Sequence, residues 1–129
     1  MKYHEYLDQE PDMDALGVFF AFSNEQLAEG LKKHNPNQDK KYLKFDYGMF
    51  ATKEGYQQVH EFYANRSKEI IENCTPQEVY NYEFVNHECD WEGDDDEAII
   101  IVLDYFGIER TKEVKRKHGY TDLEQLVNT

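Results

Sequence analysis

A chain of 129 residues is the size of one domain and can bury a core without help from a disulfide or a metal. Its apolar share is 40%, with ten Tyr and eight Phe, so that core must find hydrogen-bond partners for buried hydroxyls. Twenty-seven acids against fourteen bases give a formal charge of −13, which argues against a basic footprint for nucleic acid, and no apolar run approaches the roughly 20 residues of a membrane span.

The acidic start, MKYHEYLDQEPDMD, has no apolar h-region, so no signal peptide is expected and a cytoplasmic location with Cys74 and Cys89 reduced is. Residues 1–16, with Pro11, read as a loosely ordered lead-in to a single domain spanning 1–129. Gly17 to Phe22 (GVFFAF) is a short β-branched and aromatic run, predicted as a strand. Ser23 and Gln26 form a capping pair for a helix carrying Leu27 and Leu31, and Asn35-Pro36-Asn37 ends it. Tyr42 to Ala51 alternates as a second strand with a bend at Gly48.

A long helix follows over about 53–73, with Tyr56, Val59, His60, Tyr63, Ser67, Ile70, Ile71 and Cys74 on one stripe. Thr75-Pro76-Gln77-Glu78 is a helix start with N-cap, Pro at N1 and Glu at N3; the helix is predicted to reach about His87 with Val79, Tyr80, Phe84 and His87 inward. Asp94 is placed as the cap of the next helix, AIIIVLDYF, which is apolar nearly all round and is expected at the centre of the fold until Gly107 stops it. A short basic helix ending at Gly119 and a last capping box, Thr121 with Glu124, complete the chain. The expected class is α+β, helix-dominated, with a small two- or three-stranded antiparallel sheet.

Charge is unevenly placed. Residues 83–97 (EFVNHECDWEGDDDE) hold eight acids and no Lys or Arg, while 32–44 and 109–118 together carry ten of the fourteen bases. The acidic stretch admits several chemistries. No CxxC or HExxH spacing gathers Cys74, His87 and Cys89 around a zinc ion, and DWEGDDDE lacks the ligand spacing of a calcium loop, so no metal or cofactor is expected. His87 beside Glu88 has the makings of a general base, yet a histidine next to Tyr80 and Phe84 on an inward face is more commonly a core residue. A carboxylate row flanked by Tyr80, Tyr82 and Trp91 is able to imitate the phosphates and bases of a nucleic acid, the plain alternative being a solvated surface.

FAFSNEQ (20–26), DYGMF (46–50), the long helix, and YEFVNHE (82–88) followed by Gly-Asp and an Ala-led helix ending in Gly occur in that order. Over roughly residues 17–119 the chain resembles a family of short uncharacterised proteins encoded by phages and mobile elements of gut bacteria. The resemblance implies no activity; it implies a setting in which small acidic proteins act on host machinery, anti-CRISPR and other anti-defence inhibitors among them. The functional expectation is therefore a non-enzymatic protein-binding module. It would offer Glu83, Glu88, Asp90, Trp91, Glu92, Asp94, Asp95, Asp96 and Glu97 to a basic nucleic-acid-binding site on a host protein, with no direct contact to nucleic acid or membrane. The alternatives are a small metal-binding protein or enzyme centred on His87, Glu88 and Cys89, and a self-associating structural protein; the oligomeric state is left open.

Overall fold

The computed structural model describes residues 1–119 and 122–127. Among them stand seven helices and one three-stranded antiparallel sheet, a helix-dominated α+β arrangement. The chain divides into two compact units, a sheet unit of residues 10–65 and a helical unit of residues 1–9 and 66–129. No helix among the described residues is long and apolar enough to cross a membrane.

In the sheet unit, β1 (Phe19–Phe20) and β2 (Leu43–Lys44) flank β3 (Met49–Ala51), with Phe19 opposite Phe50 and Leu43 opposite Ala51. The predicted single strand over 42–51 is thus two strands. The chain reverses through a 3₁₀ turn at Asp46–Gly48, where Tyr47 (φ 61°) and Gly48 (φ 75°) are both left-handed, a conformation glycine adopts without strain. Helix α2 (Asn24–His34) starts as predicted: Ser23 Oγ accepts from Gln26 N at 3.2 Å, and Gln26 Oε1 accepts from Phe22 N at 2.8 Å. It packs beside β1 because Gly30 has no Cβ; one built there would lie 2.2 Å from the Phe19 ring. That ring also stacks on His34 and Phe50. Val18, Ala51 and Val59 form the small core of this unit.

Helix α3 (Lys53–Asn73) has the predicted extent. Val59, Ile70 and Cys74 of its stripe are buried, whereas His60, Tyr63 and Ile71 are exposed, so the seam is narrower than the spacing implied.

The helical unit is built on α4 (Pro76–Asn86) and α6 (Asp96–Thr111), whose Val79, Tyr80, Ile99 and Val102 are fully buried together with Ile70. Thr75 Oγ1 caps α4 by accepting from Glu78 N at 3.1 Å. The N-terminal segment is not the loose lead-in expected: α1 (Tyr3–Leu7) buries Tyr3 and Tyr6, because their hydroxyls and main chain have partners on α4 and α3. Tyr3 N donates to Glu78 Oε2 (2.8 Å), its hydroxyl donates to Glu83 Oε1 (2.8 Å), and Tyr6 Oη accepts from Asn73 Nδ2 (3.0 Å).

Helix α6 buries one stripe, Ala98, Ile99, Val102 and Phe106, while Ile100 is 40% exposed. An apolar residue at every position does not imply burial at every position when neighbours cover one face. Gly107 interrupts α6 with φ 79°, near where a stop was predicted, before a final turn to Thr111. The short basic helix predicted to end at Gly119 is absent beyond that turn: residues 112–119 run as turns and bends, with Lys115 N and Lys117 N held by side chains of α4. The short α7 (Leu123–Val127) follows; Thr121 of the predicted capping box lies outside the described residues.

Candidate functional site

The acidic stretch forms the connection between α4 and α6. His87 ends α4, Glu88 turns left-handed (φ 52°), four residues wind into α5 (Cys89–Glu92), and Gly93 turns left-handed again (φ 79°). Two such reversals fold the segment into a knuckle, with Cys89 pointing into the core at 1% exposure and Trp91 pointing out at 89%.

The eight acids do not share one face. Glu83 and Asp95, both expected in the presented row, are buried, and each is there because it has partners. Asp95 Oδ2 accepts from the Tyr80 hydroxyl at 2.6 Å, and its carboxylate is forked by Arg116 Nε at 3.1 Å and Nη2 at 2.5 Å. Burial pushes the Asp95 carboxyl up, but the guanidinium and the Tyr80 hydroxyl outweigh it and hold the group below the usual carboxylate range. Burial and the Asp95 hydrogen bond push the Tyr80 hydroxyl up to about 12. Glu83 accepts from Tyr3, whose own hydroxyl is driven far upward, first by burial and then by that bond. Asp94, placed as the cap of α6, sits one residue before the observed N-cap, Asp95, and its Oδ1 accepts from Asp96 N at 3.2 Å.

The second basic stretch accounts for much of the remaining charge. His118 Nε2 lies 3.2 Å from Asp90 Oδ1, and Arg116 Nη2 reaches Asp96 at 3.3 Å. Lys117 Nζ stands 4.7 Å over the Phe84 ring, and His118 stacks on that same ring. Glu97 pairs with His87 Nδ1 at 2.9 Å, while His87 Nε2 faces Glu83 at 3.1 Å. Among the described residues, Glu88 and Glu92 are the acids of this stretch whose carboxylates have no hydrogen-bond or ion-pair partner. They flank Trp91 on either side in sequence.

The residues of the alternative centre, His87, Glu88 and Cys89, are placed apart in their roles. Both ring nitrogens of His87 are engaged by carboxylates, so this arrangement offers no lone pair outward. Cys89 is buried on the other side of the left-handed turn, and burial pushes its thiol up, away from the thiolate that ligation and attack require. Among the described residues no three His, Cys, Asp or Glu side chains are placed to hold an ion.

What remains is a concave surface of about 720 Å³ lined by Phe84, Val85, Glu88, Asp90, Trp91 and Lys117. Val85, 74% exposed on α4, was not among the expected site residues; the signal for it was its place one residue after inward Phe84, about 100° further round the helix.

A family model described as a family of unknown function, DUF7659, matches residues 4–124, and the chain belongs to that family. No curated protein and no solved structure matches it.

Proposed function

We propose that this family member is a non-enzymatic protein-binding module whose contact surface is the knuckle around Trp91, and that it occupies a basic, nucleic-acid-binding site on its partner. The observation that carries the reading is a single one: an almost fully exposed Trp91 that shares a concave surface with exposed Val85 and with Glu88, whose carboxylate, like that of Glu92 directly after Trp91 in sequence, has no partner among the described residues. Tryptophan is costly to leave in water and is the commonest energetic anchor of protein interfaces. Its face accepts a guanidinium or ammonium by cation–π attraction, and neighbouring carboxylates supply the matching charge. A groove that binds single-stranded nucleic acid presents aromatic stacking positions and backbone-tracking cations, and a surface that carries an exposed indole and an unpaired carboxylate answers both.

The surface is narrower than the row expected from sequence: Asp95 and Glu83 lie inside, and Asp90 and Asp96 are partly answered by His118 and Arg116. A phage or mobile-element setting, with an anti-CRISPR or other anti-defence role, is the context in which such an inhibitor would act; it rests on the resemblance described above.

Capture from a nuclease-treated bacterial lysate tests the proposal. The parent chain is expected to retain a basic protein that elutes with rising salt and is displaced by added DNA or RNA. Trp91→Ala and the pair Glu88→Lys with Glu92→Lys are expected to lose it while keeping the parent's circular dichroism. Retention by both variants, or capture of an acidic protein insensitive to nucleic acid, overturns the reading.

A further inference from the structure

The two basic stretches have different fates. Residues 115–118 are taken up by α4 and the acids around the start of α6, whereas in the stretch 32–44 Lys33 is paired with a carboxylate and Lys40 and Lys41 are not. In the sheet unit, the end of α2, the loop after it and the first residues of α3 surround a concave site of about 760 Å³. Lys33, Lys40, Lys41 and Lys53 all line it.

Lys33 is paired with Asp14 at 3.3 Å, and His34 faces that same carboxylate at 3.6 Å. The ammonium groups of Lys40, Lys41 and Lys53 have no carboxylate partner among the described residues, although Asp39 and Glu54 also border the site. Three unanswered cations around one concavity are unusual in a chain of net charge −13, where carboxylates outnumber bases nearly two to one.

The loop that carries Lys40 and Lys41 is tied back to the end of α2. Asn35 closes it from both sides, its Nδ2 donating to Lys40 O at 2.9 Å and its Oδ1 accepting from Lys40 N at 3.1 Å. Directly after Lys41, the Tyr42 hydroxyl donates to Gly17 O at 2.7 Å. A loop tied in this way lowers the ordering cost of binding, and lysine ammonium groups serve phosphate as point charges. The volume falls within the range of small-molecule sites, about 300–1,000 Å³.

We propose that this cleft binds a phosphate-bearing small molecule of nucleotide size through Lys40, Lys41 and Lys53. The ligand is small because a long polyanion would have to run past the chain's excess of carboxylates, whereas a compact one feels mainly the local lysines within a Debye length of about 8 Å at 0.15 M salt. The site lies in the sheet unit, and the proposal stands or falls independently of the Trp91 surface.

Isothermal titration calorimetry of the whole chain with pyrophosphate, ATP, adenosine and a single-stranded oligonucleotide tests it, with sodium sulfate as the ionic-strength control. Saturable binding of pyrophosphate and ATP is expected, weakening with salt, with no heat from adenosine. The variant Lys40→Gln/Lys41→Gln is expected to lose at least tenfold in affinity with unchanged circular dichroism, and Lys68→Gln, on the exposed side of α3, to bind as the parent does. If the double variant fails to fold, Lys53→Gln replaces it with the same expectation. Absence of saturation, equal binding by the cleft variants and the parent, or sulfate binding as strong as pyrophosphate overturns the proposal. Binding of adenosine alone overturns phosphate recognition, and an oligonucleotide that binds more tightly than ATP overturns the small-molecule ligand.

Discussion

Asp95 keeps a charge at a position with no exposure to water. It tolerates that position because Tyr80 and Arg116 donate hydrogen bonds to both of its oxygens, the condition under which a buried carboxylate stays ionised. Removing one partner leaves the other charge unanswered, so Asp95→Ala is expected to destabilise the chain by about 3–5 kcal/mol in urea denaturation. Reversing Asp95 to Lys along with its neighbours would therefore unfold the molecule rather than probe its surface. Because the Asp95 carboxyl titrates below its unfolded value of about 3.9, the stability it contributes is present above that pH and is lost as pH falls through the folded value. Tyr80 runs the other way. Its hydroxyl is raised to about 12, so its contribution is intact below its ordinary value of about 10 and disappears as pH rises towards 12. Melting temperature followed from pH 9 upward is expected to drop over that interval, with a shallower fall in Tyr80→Phe.

At the level of elements, α6 separates apolar character from burial. Ile99 and Ile100 are the same residue in adjacent positions, one fully buried and the other 40% exposed. Ile99→Ala is expected to cost about 2–5 kcal/mol and Ile100→Ala less than about 1, a contrast that thermal or urea melts resolve directly. Helix starts at Ser23 and Thr75 were legible in the sequence because a cap is decided by residues within one turn of each other. The reversal at Tyr47–Gly48 was not, since alternation across 42–51 is preserved when one strand becomes a hairpin. The path of residues 112–119 was hidden for a different reason. The main-chain amides of Lys115 and Lys117 donate to Gln77 and Tyr80, nearly forty residues away, and no local pattern records those bonds. The acidic stretch was visible as composition, but which acids face water depends on His87, Arg116 and His118, so composition alone did not sort buried acids from exposed ones.

Across the whole molecule the negative charge is divided unequally. The helical unit has eighteen acids against eight bases, and the sheet unit nine against six. Repulsion of that size opposes compaction at low ionic strength, and salt screens exposed charges more than the buried Asp95–Arg116 pair. Raising NaCl from a few millimolar to about 0.15 M is expected to raise the melting temperature by a few degrees. A fall instead would mean that the surface pairs, such as Lys112 with Glu124 at 3.1 Å, outweigh the repulsion.

The attachment of the 112–119 segment to α4 bears on which substitutions the chain can absorb. Gln77 grips residue 115 by its main chain, accepting from Lys115 N at 2.8 Å and donating to Lys115 O at 3.5 Å. A glutamine amide here plays the part that a neighbouring strand would play, one donor and one acceptor at a fixed spacing. The side chain at 115 takes no part in that grip, so any residue with an amide hydrogen meets it and only proline does not. Position 77 has no such latitude: glutamate accepts but cannot donate, and asparagine is a methylene too short. The demand that holds the segment in place is therefore written at residue 77, thirty-eight positions before the residue it restrains.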